Sequence, residues 1–243
     1  MEETVVVYAD ERLVALNKPA GVSLATRHTQ PGAAVARLLA ALPEEERAAY
    51  GLAAEDLHLV HRLDVGTSGV VLLARDADAH RELALAFGRR SIAKTYLALV
   101  WGHPAPLSGT LELPLGPDRR DRRRMRVDAE GRTAVTAYRV LAGAPHVALV
   151  RLQPATGRTH QLRVHLAHEG HPIVGDDLYG GPRHRGVREL RLRELLAPDH
   201  TFLHAWRLHL PATASTPELI LTAPLPADFA TVLDALGLAV PPA

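Results

Sequence analysis

Apolar residues along this chain follow two rhythms. Runs that alternate, or that are unbroken stretches of valine and leucine between turn residues, predict strands at 4–8, 12–17, 70–74, 94–101, 133–141, 147–153, 201–210 and 218–222. Helical spacing predicts helices at 32–42, at 76–88 with Asp76 as N-cap, at 159–168 closed by Gly170, and at 226–236. Strands outnumber helices and do not alternate regularly with them. The pattern therefore predicts an α+β fold, its mixed, largely antiparallel sheet flanked by helices and loops. Segment 102–132 is rich in Pro, Gly and Arg and is expected to form loops leaving the sheet. There is no internal repeat and no long linker, so residues 1–243 read as a single domain.

Composition narrows the class. The chain has 243 residues, 47% of them apolar and 23% charged, which suits a globular protein with a real core. Cysteine is absent, which excludes disulfides and thiolate metal sites. No apolar run approaches the roughly 18 residues that span a bilayer. The start, MEETVVVYADE, lacks the basic and apolar regions of a signal peptide. The expectation is a cytoplasmic protein, with a monomer as the default state.

A net charge of +1 conceals an uneven distribution. Lys18 and Lys94 are the only lysines, and the other basic residues are arginines. Segment 119–132 carries seven arginines against four acids when Asp118 is counted, and segment 183–193 carries five arginines against Glu189. Guanidinium forks in such clusters can grip phosphate in bidentate fashion.

Three segments carry candidate chemistry. In His61-Arg62-Leu63-Asp64-Val65-Gly66-Thr67-Ser68-Gly69 a carboxylate sits in a Gly-Thr-Ser turn ahead of an apolar strand. A carboxylate anchored there can act as nucleophile or base, although such an Asp is more often a turn former. In Lys94-Thr95-Tyr96-Leu97-Ala98, residues Lys94, Tyr96 and Ala98 share one face of a strand. An aromatic ring there can stack on a base or pack into a core. In Thr156-Gly157-Arg158-Thr159-His160-Gln161-Leu162-Arg163, Leu162 and Leu166 share the buried face of a helix, and Arg163 lies at its edge. A partly buried Arg there needs a carboxylate partner. Asp176 and Asp177, just after Gly175, read as turn residues.

Taken together and in this order, the three segments resemble the signature motifs of the RluA family of RNA pseudouridine synthases. HRLDVGTSG is similar to its catalytic motif, KTYLALVWG to its tyrosine motif, and TGRTHQLRVHLAHEGHPIVGD to its arginine motif. Weaker similarity runs from 10–21 to 223–229. The resemblance implies the pseudouridine synthase catalytic fold with a central RNA-binding cleft. The accessory RNA-binding module that some members carry at the N-terminus is expected to be missing.

The resemblance also implies the site. Asp64 would be the essential carboxylate, and Arg163 would bridge to it and keep it ionised. Tyr96 would pack on a flipped uracil and could help remove the C5 proton; a phenol with its ordinary pKa near 10 is a poor base unless something lowers it, so stacking is the expected role. Arg62 would fill the gap left by the extruded base, and Leu162 would line the pocket floor. Lys94, Arg158 and His160 would complete the substrate contacts. Attack at C1′, attack at C6 and a glycal route all remain open for Asp64. The reaction needs no cofactor and no metal, and the partner would be ribosomal or transfer RNA.

Three rival readings carry less. His165, His168 and His171 suggest a metal hydrolase, but Gly170 and Pro172 should end the helix before the third and no carboxylate completes a site. A glycosidase needs two placed carboxylates, and near the motifs only Asp64 stands out. A non-catalytic RNA-binding or RNA-folding protein on the same scaffold is disfavoured by the presence of Asp64, Tyr96 and Arg163 together.

Overall fold

The structure, a computed structural model, describes residues 4–25, 32–213 and 217–240. In chain order the elements are β1 (Val5–Ala9), β2 (Leu13–Lys18), α1 (Ala33–Ala40), α2 (Glu44–Ala49), β3 (His58–Leu59), β4 (Ser68–Ala74), α3 (Ala77–Gly88) and β5 (Ala93–Trp101). There follow β6 (Ser108–Glu112), β7 (Leu115–Pro117), β8 (Met125–Val127), β9 (Val135–Ala144), β10 (Val147–Pro154) and α4 (Gln161–His168). The chain ends with α5 (Leu190–Leu195), β11 (Leu203–Leu210), β12 (Leu219–Thr222) and α6 (Ala227–Ala235). This is the expected α+β class: the β1-β2-β4 and β5-β10-β9-β6 runs pair antiparallel throughout, as do β3 with β4, β12 with β11 and β7 with β8. No helix among the described residues is long and apolar enough to cross a membrane.

The chain forms two compact units. The first comprises residues 1–93 and 205–226. Its strands run in the order β1-β2-β4-β11, with β3 paired to β4 and β12 to β11. Every residue of β4 is buried, which is why Val70-Val71-Leu72-Leu73 is an unbroken apolar run rather than an alternating one. Leu13, Ala15, Val70, Leu72, Leu208 and Leu210 form one core with Ala79 and Leu83 of α3. The Asp76 carboxylate caps α3 by accepting from Asp78 N at 2.9 Å and Ala79 N at 2.7 Å. Gly69, at φ 114°, is required: a Cβ there would overlap the Ala205 backbone.

The second unit comprises residues 94–204 and 227–243. Its strands run β5-β10-β9-β6, with β7-β8 as a separate hairpin. As the spacing predicts, Leu162 and Leu166 lay α4 on the sheet, against Ala98, Val100, Val150 and Leu152. Val164, on another side of α4, joins Leu115 and Ala134 beneath the hairpin. The helix starts at Gln161 rather than 159, because His160 takes a left-handed conformation with φ 54°.

Segment 102–132, expected to form loops and excursions from the sheet, also holds three strands: β6, which pairs with β9, and β7 and β8, which form a separate hairpin. These strands are short, two of them with only three residues, and β7 contains Gly116 and Pro117, which weaken any strand signal. Two short helices also lie outside the expected set. Both α2 and α5 have six residues; α2 buries none of them and α5 only Leu192, so neither leaves an amphipathic stripe to read.

Candidate active site

The expected site residues divide between the two units: Arg62 and Asp64 in the first, and Lys94, Tyr96, Arg158, His160, Leu162 and Arg163 in the second. The Asp64 loop is fixed at both ends. His61 accepts from Leu72 N at 3.1 Å through Nε2 and stacks on Phe87 with centroids 4.6 Å apart. Thr67 N donates to Asp64 O at 3.1 Å, closing the turn, and Thr67 and Ser68 are buried. Arg62 is exposed on this loop and Asp64 is partly exposed.

A residue that the sequence pattern does not flag holds the loop from beneath. Lys18, at the end of β2, has 0% exposure. Its ammonium donates to Pro19 O at 2.8 Å, Val22 O at 3.1 Å and Val65 O at 3.3 Å. Gly21 N also donates to Val65 O, at 2.8 Å. The Lys18–Val22 turn is thus stapled to the residue that follows Asp64. Burial pulls the Lys18 amine down to about 8, against the opposing pull of the Asp64 charge. A lysine closing an apolar strand was the available signal, but lysines are so often exposed that it carries little weight.

In the second unit Tyr96 packs half-buried on the cluster that contains Leu162, so the structure brings these two expected residues together. Lys94 comes near the Thr156–Arg158 loop: a Cβ placed on Gly157 would lie 4.0 Å from Lys94 Nζ. Arg158 Nε donates to Thr133 O at 3.0 Å. Gln161, also unforeseen, organises this loop while 4% exposed. Its Oε1 accepts from Thr156 Oγ1 at 2.7 Å and Arg158 N at 3.0 Å. Its Nε2 donates to Val135 O and Thr136 Oγ1, each at 3.0 Å. A buried amide with these partners fixes the loop to β9.

Asp176 is not merely a turn former. Arg163 Nε donates to Asp176 Oδ2 at 2.7 Å and Arg163 Nη2 to Oδ1 at 2.9 Å. The side chains are 12% and 0% exposed. This bidentate pair sets the plane of the guanidinium at the edge of α4. Asp177 is exposed, as a turn residue would be. Thirteen residues separate Arg163 from Asp176, a spacing that has no helical or strand period and so gave no signal.

Two histidines of the rival metal reading, His165 and His171, are engaged elsewhere. His165 is fully buried, with Nδ1 3.0 Å from Thr136 Oγ1 and Nε2 3.0 Å from Leu113 O, and burial lowers its pKa. His171 Nδ1 is 3.0 Å from Trp101 O. Among the described residues, no three histidine or carboxylate groups converge as a metal site would require.

The arginine-rich segment 119–126 runs through the tip of the β7-β8 hairpin into β8. Its acids are used locally: Asp118 accepts from Arg120 N, Asp121 from Arg123 N and the Arg123 guanidinium, and Asp128 from Arg126. Arg119, Arg120 and Arg122 are exposed and form no ion pair among the described residues. Such a tip can meet phosphate.

The chain matches the RNA pseudouridylate synthase family over residues 12–168, a span that contains Asp64, Tyr96 and Arg163. An RNA pseudouridine synthase of Mycobacterium bovis is 35% identical over 240 residues, 97% of this chain and 74% of its own. The dual-specificity RNA pseudouridine synthase RluA of Escherichia coli K12 is 39% identical over 202 residues, 81% of this chain and 87% of its own. The solved structure of human RNA pseudouridylate synthase domain containing 4 is 31% identical, with a TM-score of 0.75, and the match covers 98% of this chain and 94% of that one. The chain therefore belongs to the RNA pseudouridylate synthase family, among its RluA-type members, and is an isomerase that converts uridine in RNA to pseudouridine.

Proposed function

We propose that this enzyme, a single catalytic domain working as a cytoplasmic monomer, modifies uridines of ribosomal or transfer RNA with Asp64 as its catalytic carboxylate. The reaction breaks the C1′–N1 bond, turns the uracil, and joins C1′ to C5. C5 gives up a proton and N1 takes one, so the product is an isomer and no redox partner is consumed. The chemistry calls for a carboxylate, a pocket for the base and a means of opening the RNA.

A stacked uridine must first leave its helix, at a cost of a few kcal/mol. Arg62, exposed beside Asp64, is suited to occupy the space the base vacates. The Tyr96 ring would receive the uracil, with Leu162 as the floor. Lys94 and Arg158 would take the RNA backbone near Gly157, and His160 would support them. Arg163 would supply the cation that balances the catalytic carboxylate.

One observation carries the reading. Asp64 is partly exposed on a loop whose backbone is fixed by a fully buried ammonium, that of Lys18, through Val65 O. A carboxylate needed only to form a turn has no use for a charged group buried beneath it, whereas a reacting carboxylate must be held in place.

Tritium release tests the substrate class. RNA labelled at uridine C5, from a host lacking the enzyme, is divided into ribosomal and transfer fractions. The proposal expects release from at least one of them. No release from either, by folded enzyme that binds both, would overturn it.

A further inference from the structure

Tyr179 lies between the arginine hairpin and Arg163. Its Oη accepts from Met125 N, on β8, at 2.8 Å. The same oxygen is 2.8 Å from His160 Nδ1, at the head of α4, and the two rings meet edge to face with centroids 5.7 Å apart. Two guanidinium groups approach the Tyr179 ring: Arg124, from the hairpin, at 5.3 Å, and Arg163, from α4, at 5.1 Å. The Tyr179 backbone N–H donates to Asp176 Oδ1 at 3.2 Å, and Asp176 is the carboxylate that grips Arg163.

Each contact has its own physical role. A phenol oxygen has one proton and two lone pairs, so it can accept from Met125 and give its proton to His160. Burial raises the Tyr179 pKa, and the hydroxyl keeps that proton across the working range. The ring face is electron-rich and attracts both cations. Met125 and Val127 of the hairpin pack with Tyr179 on the cluster formed by Leu115, Ala134 and Val164. The hairpin and α4 therefore share one side chain.

We propose that Tyr179 is a positioning residue, one that couples RNA contact at the arginine hairpin to the placement of Arg163. This rests on the reading of Arg163 as a residue of the reaction. RNA phosphates at Arg119, Arg120 and Arg122 would seat the hairpin. The seated hairpin fixes Met125 and Arg124 against Tyr179, and Tyr179 holds Arg163 and Asp176 in register. Turnover would thus be fastest on RNAs that reach the hairpin, which makes this contact a determinant of specificity as well as of affinity.

The test uses full-length enzyme and whichever C5-tritiated RNA fraction the wild type modifies. Tyr179→Phe keeps the ring and loses the two hydroxyl contacts. It should lower kcat by about tenfold, as a misplaced catalytic group does, with KM and the thermal midpoint little changed. Replacing Arg119, Arg120 and Arg122 by Ala together should lower kcat and raise KM in the wild type. In the Tyr179→Phe background it should only raise KM. Should Tyr179→Phe fail to fold, Arg124→Gln gives the same reading from the hairpin side. An unchanged kcat in Tyr179→Phe, or hairpin effects on kcat that persist in full without the hydroxyl, would overturn the proposal. Arg163→Lys, measured alongside, separates the two failures: wild-type kcat in that variant removes the role of Arg163 itself, and the coupling with it.

Discussion

Arg163 and Asp176 face each other fork to fork: two parallel N–H···O bonds of 2.7 and 2.9 Å join them, and the carboxylate is wholly buried. Removing the acid strands a largely buried cation. Asp176→Ala is expected to destabilise the protein by about 3–5 kcal/mol, the usual cost of breaking such a pair. Asp176→Asn, which still accepts one hydrogen bond, should cost less. Denaturant unfolding of the three proteins checks the order wild type, Asn, Ala.

Lys18 gives a pH signature. Its amine is pulled from 10.5 to about 8 in the folded chain by burial. Below pH 8 both folded and unfolded chains carry the proton, and the cost of burying the charge is present in full. Between about 8 and 10.5 the unfolded chain holds more protons than the folded one, so stability rises with pH. The rise has a ceiling on the order of 3 kcal/mol, from a shift of that size. Lys18→Met lacks it. Thermal midpoints of both proteins at pH 7.5 and 9.5 should show the wild type gaining on the variant; parallel changes would contradict the assignment.

The hairpin tip predicts a salt effect. With Arg119, Arg120 and Arg122 replaced by Ala, RNA affinity should fall. The slope of log K against log salt should flatten by about 0.7 to 0.9 for each RNA phosphate that is no longer neutralised. Circular dichroism should be unchanged, because these side chains are exposed. Titrations at several salt concentrations decide it, and an unaltered slope would remove the hairpin from the RNA interface.

What was legible in the chain was whatever burial writes as a pattern. β4 read as a strand because both its faces are covered, and α4 read as a helix because Leu162 and Leu166 meet the sheet one turn apart. Asp76 read as a cap because it stands just before the helical spacing of α3, and its carboxylate accepts from the first-turn amides. The roles proposed for Asp64, Tyr96 and Arg163 rest on the family motifs, since no single residue type at one position specifies a reaction. The unread features are long-range or polar. Lys18 is buried although lysine is ordinarily exposed, because three carbonyls converge on its ammonium. Asp176 does turn the chain, but its partner lies across a loop. Tyr179 gathers contacts from Met125, Arg124, His160 and Arg163, segments that only folding brings together.

The central claim is that Asp64 carries the isomerisation. The most direct measurement is tritium release from C5-labelled RNA by wild type and Asp64→Asn, with RNA binding measured on both. Asn keeps the shape of the side chain and removes its charge. The account predicts that Asp64→Asn binds the RNA within about twofold of wild type and releases no tritium above background, a loss of at least about a thousandfold for an essential covalent or acid–base group. Turnover by Asp64→Asn within about tenfold of wild type would contradict it and move the chemistry to another residue.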